Sequence, residues 1–350
     1  VLLKNENKLL PLKKDLKKIA VVGPLANSKD NPLGGWDQQG NPKDVVTVLD
    51  GIKNKLGKNN EINFEEGCTI EGKEKDGFGK AIELVRSSDV AIVVVGESRN
   101  MSGEARSRAT LDLPGVQESF VEEIQKTGKP VIVVLMNGRP LTITWIQQNV
   151  SAVIESWYLG IQTGNAIADV LFGDYNPSGK LPVTFPRYVG QIPIYYNHKN
   201  TGRPYDPKNH YTSYYMDIEN TPLYPFGYGL SYTTFSYSNI SLSKNIIKKD
   251  ESLTVSVEVK NSGTQDGTEV VQLYIQDLVG SVTRPVKELK DFSKIFLKAG
   301  ESKNIEFTII PEKLKFYDIN MNFVVEPGDF KVFVGTNSVD VKEASFSVVE

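Results

Sequence analysis

Between Val95 and Leu113 the chain reads Val-Gly-Glu-Ser-Arg-Asn-Met-Ser-Gly-Glu-Ala-Arg-Ser-Arg-Ala-Thr-Leu-Asp-Leu, with Glu97 and Glu104 set among Arg99, Arg106 and Arg108 and hardly any apolar side chains. Carboxylates of this kind either exchange protons with a substrate or tie a loop down through arginine. An adjacent guanidinium lowers a carboxylate pKa, which suits an anchor and not a proton donor. Glu97, directly after the glycine that ends an apolar run, therefore reads as loop support, paired with Arg99, Arg106 or Arg108. Glu104, in Ser102-Gly-Glu-Ala, is a loop-centre carboxylate, and spacing alone favours a solvated side chain there. Trp36 follows Gly34-Gly35 in an earlier loop; an indole so placed either stacks on a sugar face or plugs a sheet edge.

A loop carries chemistry only where the fold holds it. Val90–Val95 predicts a buried strand that delivers the loop to the carboxyl end of a sheet, where open α/β folds bind ligands. Ile19-Ala-Val-Val, Ile62-Asn-Phe, Val131–Met136 and Ala152-Val-Ile predict further strands. Helical spacing at Val48, Leu49, Ile52 and Leu56, at Ala81, Ile82, Leu84 and Val85, and at Ala166, Ile167, Val170 and Leu171 places helices between and after them. Pro114 is expected to open another helix, with Val116, Phe120, Val121 and Ile124 inward. This alternation predicts an α/β sandwich, a mostly parallel sheet between helices, over residues 12–190. Trp145 and Trp157 are expected in its core.

Residues 191–235, dense in Pro, Gly, Tyr and Asn, read as an ordered linker. Residues 236–350 change period: Leu253, Val255, Val257 and Val259 alternate with polar residues. Val270–Ile275, Ile305–Ile309, Phe330–Val334 and Ala344–Val348 continue the pattern, predicting an all-β sandwich of the fibronectin type III or immunoglobulin kind.

Composition narrows the function. The 350 residues are 39% hydrophobic and 24% charged with a formal charge of −3, and Lys and Arg form no basic stripe, so nucleic acid is not an expected partner. The longest apolar runs fall far short of the ~20 residues that cross a bilayer, so no membrane partner is expected either. One cysteine and two histidines argue against a disulfide, a metal centre or a Ser-His-Asp triad. Gly23-Pro-Leu-Ala is not a dinucleotide fingerprint, no phosphate-binding Gly-Lys-Ser/Thr loop occurs, and no cofactor is expected. No signal peptide is visible, and residues 1–11, beginning at Val1, read as a connector from a preceding domain.

Leu171-Phe-Gly-Asp-Tyr-Asn-Pro-Ser-Gly-Lys-Leu-Pro-Val-Thr-Phe-Pro-Arg187 and Tyr224-Pro-Phe-Gly-Tyr-Gly-Leu-Ser-Tyr-Thr-Thr-Phe235 resemble the C-terminal half of glycoside hydrolase family 3. Gly23-Pro-Leu-Ala, Met136-Asn-Gly-Arg-Pro-Leu, Asn200-Thr-Gly-Arg-Pro-Tyr and Arg284-Pro-Val-Lys-Glu-Leu are similar to its periplasmic-type bacterial β-glucosidases. Trp157-Tyr-Leu-Gly-Ile-Gln-Thr-Gly departs from the family's usual turn sequence. The resemblance implies retaining hydrolysis of β-glucosides or short β-linked oligosaccharides. Two carboxyl groups about 5–5.5 Å apart flank the scissile bond in that chemistry. It places Glu104 on the family's acid/base, and Trp36, Arg99, Met101 and Ser102 on the substrate side. The nucleophile it assigns to an N-terminal (β/α)8 barrel absent from these residues, joined in cis or in trans, and it implies a periplasmic or secreted enzyme. A β-xyloside substrate, or a non-catalytic sugar-binding or assembly module, are the alternatives.

Overall fold

Strands β4 (Val90–Gly96), β5 (Val131–Met136) and β6 (Ala152–Glu155) are buried along their whole length. Runs of Val, Ile and Leu without a polar face can be satisfied only in a sheet covered on both sides. The computed structural model describes residues 1–350, Asn59 by its backbone alone. The chain divides into two units, one of residues 1–179 and 186–190, the other of residues 180–185 and 191–350.

In the first unit these strands join β1 (Leu2–Asn5), β2 (Lys18–Val22) and β3 (Glu61–Glu65) in a six-stranded sheet of order β1-β6-β5-β4-β2-β3. All neighbours are parallel except β1, which runs antiparallel on β6. Helices α1 (Val48–Leu56) and α5 (Thr163–Leu171) pack on each other, as do α2 (Phe78–Arg86) with α3 (Gln117–Gln125) and α3 with α4 (Thr144–Asn149). Thr47 starts α1 with a reciprocal cap: its Oγ1 accepts the Asp50 amide at 3.0 Å and the Asp50 carboxylate accepts the Thr47 amide.

The second unit contains two sheets. One carries β13 (Ser302–Ile309), β10 (Leu253–Asn261) and β7 (Phe235–Tyr237), with β8 (Ser241–Leu242) also on β10. The other has the order β12 (Glu288–Leu297), β11 (Gly267–Asp277), β16 (Gly328–Gly335), β17 (Val341–Val349) and β9 (Ile246–Lys248). Val255, Val257 and Val259 from one sheet and Leu273, Ile275, Val332 and Val334 from the other share one core, as the alternation requires. A helical turn, α6 (Pro311–Leu314), and a short hairpin of β14 (Phe316–Tyr317) and β15 (Phe323–Val324) complete it.

Four expectations change, and one strand is additional. Residues 1–11 belong to the first unit and do not lie outside it, because Leu2 and Leu3 are buried and β1 forms the sheet edge on β6. Residues 180–185 leave the first unit: the Leu181 amide donates to Tyr228 O and the Phe185 amide to Tyr224 O, at 2.8 and 2.9 Å, lacing them into the second. Residues 191–235 also belong to that unit, where Tyr196 stacks on Phe226 with ring centroids 4.3 Å apart and meets Tyr274 edge-on. Strand β12, which no expected segment covers, is the addition: Phe292 and Phe296 on its exposed face hide the alternation. Helix α3 starts at Gln117, not Pro114, since Gly115 has a left-handed φ of 62° that no helix continues through.

Candidate functional site

The loop after β4 is fixed first at its glycine. Gly96 has φ 147°, and a Cβ there would lie 2.0 Å from the Met136 carbonyl oxygen. The buried Gln117 carboxamide holds both Gly96 polar groups: Oε1 accepts the amide and Nε2 donates to the carbonyl, each at 2.8 Å. The next residue, Glu97, is completely buried.

Glu97 is compensated on every side. Arg108 Nη1 donates to Oε1 at 2.7 Å, Arg139 Nε lies 3.1 Å from the same oxygen, and the Gly138 amide donates to Oε2 at 3.4 Å. Arg108 also donates to Asp112 O at 3.0 Å, and Tyr158 Oη donates to Ser98 O at 2.9 Å. A buried carboxylate needs this much pairing, because burying one bare costs several kcal/mol. Of the three arginines expected on Glu97, only Arg108 arrives. Arg99 turns away to Asp30 and Asp37, at 2.9 and 2.5 Å, because it lies in a helical turn over residues 99–101 that faces the 30–37 loop. Arg106 supports the loop through its carbonyl, which accepts from Arg139 Nη2 at 2.9 Å, while its side chain is exposed.

The tip differs from the base. Residues 103–107 are exposed, Glu104 among them. Gly103 (φ 132°) and Ala105 (φ 57°) flank Glu104 with positive φ, a strained arrangement at a non-glycine residue. The Arg106 amide closes the turn on Gly103 O at 3.3 Å. Trp36, 65% exposed, adjoins this tip: a Cβ on Gly103 would meet its Nε1 at 3.3 Å. Met101 and Ser102 are half-buried; the Met101 carbonyl accepts from Arg139, and Ser102 Oγ donates to Gly138 O at 3.3 Å. The structure thus brings Trp36, Arg99, Met101, Ser102 and Glu104 into one region and puts Glu97, Arg108 and Arg139 beneath it. Trp145 and Trp157 are half-buried and not core, Trp157 with a left-handed φ of 56°.

A second buried carboxylate underlies the first. Glu155, at the end of β6, accepts the Trp157 amide at 2.8 Å and Asn137 Nδ2 at 3.1 Å. Burial nonetheless pushes its pKa up to about 8, and the nearby Glu97 charge adds to the rise. Arg139, Gln117, Tyr158 and Glu155 escaped the sequence reading. Parallel pairing of Gly96 with Met136 was the available signal for Arg139, because it sets the loops after β4 and β5 side by side. Among the described residues no group of three His, Cys, Asp or Glu could hold a metal ion, and no helix is long and apolar enough to cross a membrane.

Comparison with known proteins gives this geometry its context. Residues 1–232 match the glycosyl hydrolase family 3 C-terminal domain, and residues 269–338 a fibronectin type III-like domain. The chain is 47% identical to a periplasmic beta-glucosidase of Salmonella typhimurium, with 100% of the chain and 48% of that protein covered. It is 45% identical to a beta-xylosidase of Formosa agariphila, with 99% and 48% covered. A crystal structure of beta-glucosidase from Listeria innocua in complex with glucose superposes with a TM-score of 0.94 at 42% identity, covering 100% of this chain and 48% of that one. The chain therefore spans about half the length of each of these relatives.

Proposed function

The chain belongs to glycosyl hydrolase family 3, and on that premise we propose that it is the acid/base-bearing part of a retaining exo-β-glucosidase. The enzyme removes terminal non-reducing β-D-glucosyl residues, with Glu104 as general acid/base. The nucleophilic carboxylate stands on a (β/α)8 barrel, in cis or in trans. One observation carries the reading: Glu104 is an exposed carboxylate at a strained tip, beside the exposed Trp36, on a loop whose base is pinned by Glu97, Arg108 and Arg139. A group that must enter a cleft built mostly by another domain has to project, and its support has to be rigid.

In the first step a nucleophile oxygen attacks the anomeric carbon, the glycosidic C–O bond breaks, and the Glu104 proton passes to the leaving oxygen. In the second step water gives its proton to the Glu104 carboxylate while its oxygen displaces the nucleophile, releasing glucose with retention. The Trp36 face forms a wall for the sugar, with Arg99, Met101 and Ser102 around it. β-Glucosides are favoured by the beta-glucosidases among the relatives, and the beta-xylosidase relative makes β-xylosides the alternative. A periplasmic or secreted setting follows from the name of the Salmonella relative.

The test is Glu104→Ala in the protein that carries both halves. Turnover of alkyl β-glucosides and disaccharides falls by about 10²–10⁴-fold. Dinitrophenyl β-glucoside, whose leaving group needs no proton, still forms the covalent intermediate, and azide restores its turnover by giving β-glucosyl azide. Equal loss on both substrates, without azide rescue, overturns the assignment. The chain by itself should not hydrolyse; hydrolysis by the chain alone would show that the nucleophile lies within it.

A further inference from the structure

We infer that Arg139 sets where Glu104 stands, as a positioning residue for the proton transfer; this rests on the reading of Glu104 as acid/base. Arg139 lies on the neighbouring loop, in Asn137-Gly-Arg-Pro140 directly after β5. Its guanidinium holds three points of the Glu104 loop. Nε lies 3.1 Å from the Glu97 carboxylate at the base, and Nη2 donates both to Met101 O and, at 2.9 Å, to Arg106 O. Met101 precedes Glu104 and Arg106 follows it, so one planar group draws the two sides of the loop neck together and leaves four residues, 102–105, to form the tip.

The other contacts close the loop lower down. Arg108 joins Glu97 to its own side of the loop at the base and reaches Asp112 O, and Tyr158 reaches Ser98 O; neither touches the Met101 and Arg106 carbonyls of the neck. Arg99 is spent on Asp30 and Asp37. The job needs a rigid fork: a lysine ammonium is a point charge that cannot span a carboxylate and two carbonyls in one plane. With the fork removed, the Met101 and Arg106 carbonyls lose their shared donor and the tip moves. A displacement of about 1 Å in a reacting group costs on the order of 10²-fold in rate.

The test uses Arg139→Lys and Arg139→Met in the protein carrying both halves. The expected result is a fall of about 10–100-fold in kcat/KM on alkyl β-glucosides, against less than about threefold on dinitrophenyl β-glucoside. In a Glu104→Ala background Arg139→Met should add less than about twofold, since a mispositioned acid no longer matters. Amide exchange over residues 101–106 should speed up in the isolated chain while β4 and β5 stay protected. Should Arg139→Met fail to fold because Glu97 loses a partner, Arg139→Lys, which keeps a cation beside Glu97 but not the fork, carries the measurements. Equal loss on both substrates, additivity with Glu104→Ala, or unchanged exchange at 101–106 overturns the inference. If Glu104→Ala itself shows no dependence on the leaving group, the acid/base reading fails, and the exchange data still decide whether Arg139 holds the neck.

Discussion

Arg108 Nη1 donates to Glu97 Oε1 at 2.7 Å across eleven residues of chain, and Glu104 lies inside the span so closed. The ion pair is partly covered on the arginine side and fully buried on the glutamate side. It belongs to the class of pairs whose rupture is expensive although their formation is not a large gain.

Glu97→Ala is therefore expected to destabilise the first unit by about 3–5 kcal/mol, since two guanidinium groups lose their shared partner. Glu104→Ala, at an exposed tip, should stay within about 0.5 kcal/mol of the parent. Urea unfolding of both variants decides the point; equal midpoints would mean that Glu97 does not anchor the loop.

Stability should also follow the Glu155 proton. Its folded pKa, pushed by burial from 4.5 to about 8, lies above the unfolded value, so between those values the native state binds the proton that the unfolded state has lost. The sign is thus a fall in stability as pH rises across that window, with a limiting slope of about 1.4 kcal/mol per pH unit. Glu155→Gln should remove that component, so the two curves coincide in shape below about pH 4.5, diverge progressively between about 4.5 and about 8, and run parallel above that. Parallel curves from pH 5 to 8 would contradict it.

Trp36→Ala should raise KM and lower kcat/KM about tenfold in the protein carrying both halves, the loss of one aromatic face worth ~1.4 kcal/mol. Trp36→Phe should recover most of it. Because Trp36 is exposed, the fold should be unaffected, and unchanged kinetics in the alanine variant would return the indole to an edge-plugging role.

Cys68 gives a probe that involves no substrate. Burial, with Glu66 nearby, pushes its thiol up to about 12, so almost none is thiolate at pH 8. The native chain should resist iodoacetamide and react promptly in denaturant. Fast labelling of the folded chain would show that the site opens readily.

Much of the first unit was legible because β4, β5 and β6 have no polar face, and only a doubly covered sheet accepts such strands. The alternation of β10 was equally plain. What the sequence hid were relations set by three-dimensional neighbours. Leu2 and Leu3 form an edge strand too short to announce itself, and β12 exposes two phenylalanines where a half-buried strand should be polar. In the loop, the exposed position of Glu104 was readable from spacing, whereas Trp36 in the earlier loop was left between a sugar wall and a sheet-edge plug. The partner of Glu97 was only half readable, because Arg139 comes from another strand's loop and Arg99, the nearest arginine in sequence, is claimed by two aspartates.

The division of that loop into a buried base and a bare tip has a consequence for how such a protein can change. Substitutions at residues 105–107, beside the Glu104 carboxylate and beyond Gly103 with its φ of 132°, touch little that is buried, so these positions can drift while the scaffold stays folded. Novelty in leaving-group preference is therefore cheap to explore here. A library confined to these three positions, with Gly103 and Glu104 kept, should keep most of its members folded, whereas one that includes Glu97, Arg108 or Arg139 should not.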